Sequence, residues 1–447
     1  MNERASSGSL VRSAGAAGER DDRRATGNMK ILWLYASTYP WEVRVEKMVT
    51  SLHERGHEVH LLCANHDRRA NLEYSHGVVL HRLRRLPAWA RPLQLAVGLP
   101  SPLNPLWFYA TRALLSRRPF DLLVVRDLHV APAAIAAGHS ARVPVVLDLA
   151  ENWPSLLREW REREGWNLQN ALLRHPAGSR IIERLAVARA DHVLVVVQEM
   201  RDRLVTKLGV DPARVSVVMN TPRLLPRESL PAKPRARRQD SLLLAYLGEV
   251  HQSRGLDTAL HAVAGAREQG LPVRLRIIGR GKPQQERRLR RLAGGLGIQR
   301  AVEFLGWRPQ AQALGLASEA DVGICPFPPN ELNDTTISNK MFEYMNLGLP
   351  VVCADVKPAK RIMEETGAGL VFAAGSADAM AAAIARFADP AARAACGAAG
   401  RRAAEGRYNW ETDAAVLEEA LLVTAGRRRA CASSDDSRTM VDSLLCE

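Results

Sequence analysis

The sequence predicts an α/β protein built from two doubly wound halves. Apolar strands alternate with amphipathic helices at short spacing from Met29 onward. The same alternation restarts at Leu242, and a proline-rich basic stretch separates the two series. Strand–helix–strand order at this spacing is the βαβ unit of a parallel sheet with helices on both faces.

Residues 29–35 read as the first strand, followed by a turn over 37–40 and an amphipathic helix over about 44–55. Gly56-His57 breaks that helix, and 59–63 is the next strand. Further strands fall at 122–125, 145–149 and 192–197, with helical patterns between them. Residues 222–240 hold four prolines and six basic residues, the composition of a linker. The second series then runs as strand 242–247, helix 256–269, strand 274–278, helix 286–296, and strands 302–304, 322–325 and 351–354. The closing pattern over 408–425 is helical. The expected division is an extension over 1–28, a first α/β domain over 29–221, the linker, a second domain over 241–407, a final helix over 408–425 and a tail over 426–447. Both ends are polar and expected to be disordered. The first 28 residues have no apolar core segment, so they do not read as a signal peptide.

Composition narrows the function. At 447 residues, 47% hydrophobic and 25% charged, the chain can bury a large core without covalent staples. Cys63, Cys325, Cys353, Cys396, Cys431 and Cys446 include no CxxC pair, which argues for a reducing cytosol and against zinc or a disulfide framework. A net charge of +14 calls for an anionic partner: nucleic acid, acidic lipid or phosphorylated substrate. No nucleic-acid motif is present, and 5% aromatic residues offer few stacking platforms, so nucleic acid is disfavoured. Residues 92–111 carry no formal charge, but four prolines and a glycine oppose a membrane-spanning helix. Flanking Arg82, Arg84, Arg85, Arg91, Arg112, Arg117 and Arg118, with Trp89, Trp107, Phe108 and Tyr109, suit an anionic membrane surface. An ordinary loop and helix packed on the first domain is the other reading.

The most informative run is LNDTTISNKMFEYMNLGLPVV, residues 332–352. A helix starts near Ser338–Asn339, Gly348 suits a left-handed C-terminal position, and Pro350 cannot continue the helix. A helix N-terminus favours phosphate. Glu343, about one turn in, can accept hydrogen bonds from both hydroxyls of a ribose. Loop and helix together therefore suit a nucleotide sugar. Polar residues at strand carboxyl ends point into the crevice of such a fold. Asp127, His129, Asp148 and Glu151 are thus candidates for positioning an acceptor.

The run NKMFEYMNLGLPVV resembles the donor-site signature of family 4 glycosyltransferases, which are retaining enzymes of the GT-B fold. The resemblance extends over roughly residues 29–420. It implies two Rossmann-like domains facing across a cleft and a terminal helix crossing back to the first. Glu343 matches the second of the family's two glutamates seven residues apart; the first falls at Thr335, with Asp334 one position off. After Gly248 the family has an Arg, then Lys-Gly five residues later; Glu249 and Arg254-Gly255 stand there. Gly279-Arg280-Gly281 is similar to the family's Gly-x-Gly beside the base, and it lacks the third glycine of a dinucleotide motif. Trp307 either stacks on the base or is core. Glu42 and Arg44 resemble an Asp-x-Arg-Val segment in a family subgroup, and Asp148 to Glu151 the family's Asp-x-x-Glu.

The implied site is catalytic Asp127, His129, Glu151 and Arg254; donor-binding Gly248, Arg254, Gly279, Thr335, Ser338, Lys340 and Glu343; acceptor-side Glu42, Arg44, Asp148 and Asn152; and no metal. The resemblance implies no cofactor, a UDP- or GDP-sugar donor, and a glycan or lipid-linked acceptor met in the cytoplasm or peripherally at the inner face of the cell membrane. Its chemistry would be a same-face substitution in which the departing phosphate helps deprotonate the acceptor. A non-catalytic member of the fold that binds a nucleotide or glycan is the alternative, suggested by Glu249 and Thr335.

Overall fold

The computed structural model describes residues 27–40, 42–67, 69–83, 104–126, 128–164, 176–229 and 241–444. The first domain runs β1 (Lys30–Tyr35), α1 (Val43–Glu54), β2 (Glu58–Cys63), β3 (Leu72–Ser75), β4 (Val78–Arg82), α2 (Pro105–Arg117), β5 (Leu122–Arg126), α3 (Ala131–Ser140), β6 (Val145–Leu149), α4 (Trp153–Glu164), α5 (Pro176–Arg189), β7 (His192–Val195), α6 (Gln198–Leu208) and β8 (Val215–Val217). Its sheet has the order β3-β4-β2-β1-β5-β6-β7-β8. Every pairing is parallel except β3 with β4.

The second domain runs β9 (Leu242–Leu247), α7 (Leu256–Glu268), β10 (Val273–Ile278), α8 (Pro283–Gly295), β11 (Val302–Gly306), α9 (Gln310–Ser318), β12 (Val322–Cys325), α10 (Asn339–Asn346), β13 (Val351–Ala354), α11 (Lys357–Thr366), β14 (Gly369–Phe372), α12 (Ala377–Arg386), α13 (Pro390–Gly406) and α14 (Trp410–Leu444). Its parallel sheet has the order β11-β10-β9-β12-β13-β14. The central strands are buried on both faces, which is why β9 is a continuous run, LLLAYL, with no polar alternation.

Strand order reverses between β1 and β5 in one sheet and between β9 and β12 in the other. A crevice opens at the carboxyl ends of strands at such a reversal. The loops after these four strands therefore face one another.

The structure departs from the sequence expectation in three places. β3 and β4 form an edge hairpin that the pattern did not announce; His76 and Gly77 form its two-residue turn with φ of 49° and 79°, as a type I′ turn requires. α8 starts at Pro283, ahead of the expected 286, because proline suits the first helical position. α14 continues to Leu444, past the expected 425, along a stretch that has no proline to stop it.

The chain crosses between domains twice, side by side. The Trp410 amide donates to the Pro222 carbonyl at 2.9 Å. The Trp410 indole donates to Ser51 Oγ at 2.6 Å, and Lys47 lies 4.6 Å from the ring centroid. Asp413 accepts from the Thr221 hydroxyl. α14 then packs on α1, with Leu417 and Leu421 joining Val45, Met48 and Leu52 in one core. At the far edge of the cleft three polar contacts bridge the domains. Asn152 Nδ2 donates to Thr335 Oγ1 at 3.1 Å, Arg158 pairs with Glu331 at 3.2 Å, and Arg361 pairs with Glu199 at 2.7 Å. Among the described residues no helix is long and apolar enough to cross a membrane.

Candidate active site

The facing loops enclose a cleft of about 1570 Å³. Its second-domain wall is built on glycines. Gly248 has φ 118° and Gly279 has φ 151°. A Cβ at Gly279 would lie 1.8 Å from the Gly248 carbonyl oxygen, and one at Gly255 would lie 1.5 Å from that of Pro326. No side chain fits at those two points, so backbone lines the turn and a ligand can approach it closely.

Lys340 stands over this turn, on the first turn of α10. Its ammonium lies 4.9 Å from the Tyr246 ring centroid and 4.6 Å from that of Phe327. Burial, with Arg254 nearby, pushes its pKa down to about 8. Two ring faces hold the cation, and among the described residues no carboxylate forms an ion pair with it. Ser338 precedes α10 in an extended conformation, and its side chain makes no capping bond. The amide end of the helix therefore opens onto the cleft beside Lys340.

Arg254 pairs with Glu249 at 3.1 Å, with both side chains over a third exposed. An exposed pair of this kind is weak and can yield to a phosphate. Glu343 lines the same wall one turn further along α10. Burial raises its pKa to about 7, opposed by Lys47 and by a hydrogen bond with Gln310. Trp307 is 59% exposed on the cleft wall, so it is not core.

The first-domain wall rests on a charge network. Glu42 caps α1 through Oε2, which accepts from the Val45 amide at 2.5 Å, and its Oε1 accepts from Arg126 at 3.2 Å. Arg126 also reaches Asp148 at 3.3 Å. Asp148 takes two hydrogen bonds from Arg44, at 2.7 and 3.1 Å, and Arg44 donates further to the carbonyls of Val218 and Met219. Arg44 and Asp148 are each 1% exposed. Burial alone would raise the Asp148 pKa; the guanidiniums of Arg44 and Arg126 outweigh it and hold the carboxyl below its usual range.

The structure brings Glu42, Arg44, Glu151, Gly248, Arg254, Gly279, Ser338, Lys340 and Glu343 to the cleft. It sets five others back. Asp148 lies behind the wall, saturated by arginines. Asn152 and Thr335 bond to each other across the domains, and Asp334 turns away to pair with Lys357 at 3.4 Å. His129 packs edge-on against Trp153, ring centroids 5.3 Å apart. Asp127 lies outside the described residues, as do Arg84, Arg85, Trp89 and Arg91 of the suggested membrane patch. Of that patch, Trp107 is buried in the first domain's core and Arg82 is ion-paired with Glu73 at 2.6 Å, so neither serves a surface.

Sequence reasoning missed Leu156, Glu159 and Trp160, which line the cleft from α4. Their spacing of three and four places them on one helix face, a signal the sequence did contain. Gln310 and Lys47 gave no such signal.

Known proteins resemble the chain in sequence and in fold. A family model described as glycosyl transferase 4-like domain matches residues 41–221, and one described as glycosyl transferases group 1 matches 241–389. WcaL of Escherichia coli strain K12, named for glycosyl transfer in colanic acid biosynthesis, is 30% identical over 184 residues, which is 41% of each chain. A D-inositol 3-phosphate glycosyltransferase of Streptomyces bingchenggensis is 29% identical over 197 residues, 40% of this chain and 41% of that protein. A phosphatidyl-myo-inositol mannosyltransferase of Mycobacterium leprae is 29% identical over 212 residues, 47% of this chain and 53% of that one. The chain thus spans about half the length, or less, of these relatives. Among solved structures, sucrose-phosphate synthase from Thermosynechococcus elongatus superposes with a TM-score of 0.66 at 18% identity, covering 91% of this chain and 100% of that one. Anabaena Alr3699/HepE in complex with UDP gives 0.64 at 17% identity, covering 88% and 99%. Two parallel-sheet domains facing across a glycine-lined cleft, matched over most of their length by both models, make this chain a member of the group 1, family 4 glycosyltransferases with the GT-B fold.

Proposed function

We propose that the protein is a retaining glycosyltransferase that moves a hexose from a nucleoside diphosphate sugar to a hydroxyl of a glycan acceptor, in the synthesis of a cell-surface polysaccharide. Residues 29–221 would carry the acceptor and 241–407 the donor. The observation that carries this is Lys340: a ring-held ammonium beside a turn where only glycine fits, with Glu343 one helical turn away. The diphosphate would lie against Lys340, Arg254 and the amide end of α10, and the ribose hydroxyls would donate to Glu343.

Catalysis on this reading is positioning plus stabilisation of charge on the leaving diphosphate. The cations of this wall supply that stabilisation without a metal. Glu151 lines the acceptor side of the cleft and would place the acceptor hydroxyl. The departing phosphate takes the hydroxyl proton as the new bond forms on the same face of the sugar. Glu249 and Thr335 favour the second reading, a GT-B protein that binds a nucleotide or glycan without turnover.

Thermal melting with UDP, GDP, ADP and TDP, followed by hydrolysis assays on the matching nucleotide sugars, separates these. One nucleoside diphosphate should stabilise the fold, by about 2.7 kcal/mol at a hundred times its Kd, and its sugar should be hydrolysed. Stabilisation without turnover supports the binding protein. No stabilisation by any of them rejects both. UDP is the first to try, since HepE is described in complex with it.

A further inference from the structure

Three helices form one outer layer of the first domain. α2 packs on α3, and α3 on α5. Their inner sides, with Trp107, Leu115, Ile135 and Val187, cover one face of the sheet in a single core, while α1 and α14 cover the other face. Together the three helices hold five arginines, Arg112, Arg117, Arg180, Arg184 and Arg189, and one carboxylate. That carboxylate, Glu183, is 1% exposed and accepts from Arg203 of α6 at 2.7 and 3.0 Å. Its charge is turned inward and cancelled there. Among the described residues none of the five arginines pairs with a carboxylate.

On α5 the exposed side is a mixed stripe. Arg180 and Arg184 form one row, and Ile181, Leu185 and Arg189 form the row beside it, each row at four-residue spacing. All five are exposed, Ile181 and Leu185 at 63% and 45%. The opposite side of α5 already supplies Ala186, Val187 and Ala190 to the core, so the two aliphatic chains outside add nothing to it. Tyr109 stands out from α2 in the same layer, 69% exposed. Arginine beside aliphatic suits a bilayer surface: guanidiniums meet headgroup phosphates on long stems while apolar tips enter the acyl boundary. Nucleic acid offers phosphate but no apolar phase, and α5 has no aromatic ring for a base to stack on. α4 marks the border of the face. It lines the cleft on one side and packs on α5 on the other, and its three arginines and three glutamates cancel.

We infer that the outer layer of α2, α3 and α5, centred on the α5 stripe, is a docking surface for an anionic lipid bilayer. A docked protein holds the first-domain wall of its cleft one helix away from the lipid. The inference stands apart from the transferase reading, because it needs neither a nucleotide nor turnover.

Cosedimentation of the full-length protein with vesicles tests this. Vesicles of phosphatidylcholine mixed with phosphatidylglycerol should bind it at least tenfold more tightly than phosphatidylcholine alone. Salt should weaken that binding, since exposed charges are screened over about 10 Å at 0.1 M. Arg180→Gln with Arg184→Gln and Arg189→Gln should cost about a hundredfold, at roughly fivefold per arginine. Ile181→Ser with Leu185→Ser should remove most of the binding that survives high salt, because that part is apolar insertion. The control is Arg287→Gln with Arg291→Gln and Arg300→Gln, three exposed arginines of the second domain. It removes the same charge elsewhere and should leave partitioning nearly unchanged. Melting temperatures confirm that each variant folds. The inference is overturned if neither vesicle type binds, if both bind alike, or if the second-domain control costs as much as the α5 substitutions. It is equally overturned if the α5 arginines govern binding to duplex DNA but not to vesicles.

Discussion

Glu343 and Asp148 are carboxylates pushed in opposite directions, and each gives a measurable consequence. The Glu343 pKa is raised from 4.5 to about 7 by burial. In the proposed site, ribose hydroxyls would donate to the ionised form, so nucleotide binding should draw the pKa down and release a proton below pH 7. Affinity should climb with pH between about 5 and 7, by up to tenfold per unit, and level off above. Calorimetry in two buffers of different ionisation enthalpy reads that proton directly; a flat pH profile would remove Glu343 from the ribose site. Glu343→Gln should abolish the slope. In the free protein the folded state holds the extra proton between those pKa values, so this carboxyl makes folding less favourable as pH rises through that window. Asp148 is the reverse case. Its depressed pKa contributes stability that is present at neutral pH and lost on acidification through the folded value. Asp148→Asn leaves Arg44 buried beside no counter-charge and should cost about 3–5 kcal/mol in urea unfolding. Asp148→Leu with Arg44→Met should recover much of that loss.

At the scale of elements, the turn joining β9 to the helix region is held by backbone proximity. Gly279→Ala puts a methyl group 1.8 Å from the Gly248 carbonyl, at φ 151°. Strain there costs about 1–3 kcal/mol and displaces the backbone that a ligand approaches. Nucleotide binding should be lost before global stability is, a difference that melting with and without nucleotide detects. Normal nucleotide binding in this variant would mean that the turn is not part of the donor site. The same scale shows what a sequence can carry. The βαβ alternation was legible because parallel central strands are apolar throughout and their helices are amphipathic. α10 was legible from Gly348 and Pro350 at its end. The β3–β4 hairpin was not, because its turn residues are His76-Gly77 rather than Asn-Gly and its strands are only four and five residues long. Glu343, Lys340 and Gly248 were legible through local motifs. The network of Glu42, Arg126, Asp148 and Arg44 was not, since it joins residues up to 106 positions apart through tertiary packing. The place of Asp148 at a strand end therefore suggests a cleft residue, whereas two arginines hold it behind the wall.

For the whole molecule, the polar contacts that bridge the two domains across the cleft are of small individual strength. Asn152–Thr335 is one neutral hydrogen bond, and Arg361–Glu199 is a partly exposed pair. Each contributes roughly 0.5–1.5 kcal/mol or less. Asn152→Ala with Arg361→Ala should therefore open the domains with little change in melting temperature. Small-angle scattering should show a larger radius of gyration, and bound nucleoside diphosphate should reverse part of it. An unchanged radius would mean that these contacts do not hold the cleft. The geometry of opening is set at the other edge, where the chain passes between domains twice and the Trp410 amide bonds the Pro222 carbonyl. One crossing would allow the domains to swing and twist like a ball in a socket. Two crossings laid side by side and bonded to each other restrict twist and favour rotation about one axis, like a door on its hinge. Rotation about that axis would return Lys340 on one wall and Glu151 on the other to the same facing positions. If donor and acceptor lie on opposite walls, as proposed, the sugar would meet the acceptor in one orientation, and a single linkage would be formed.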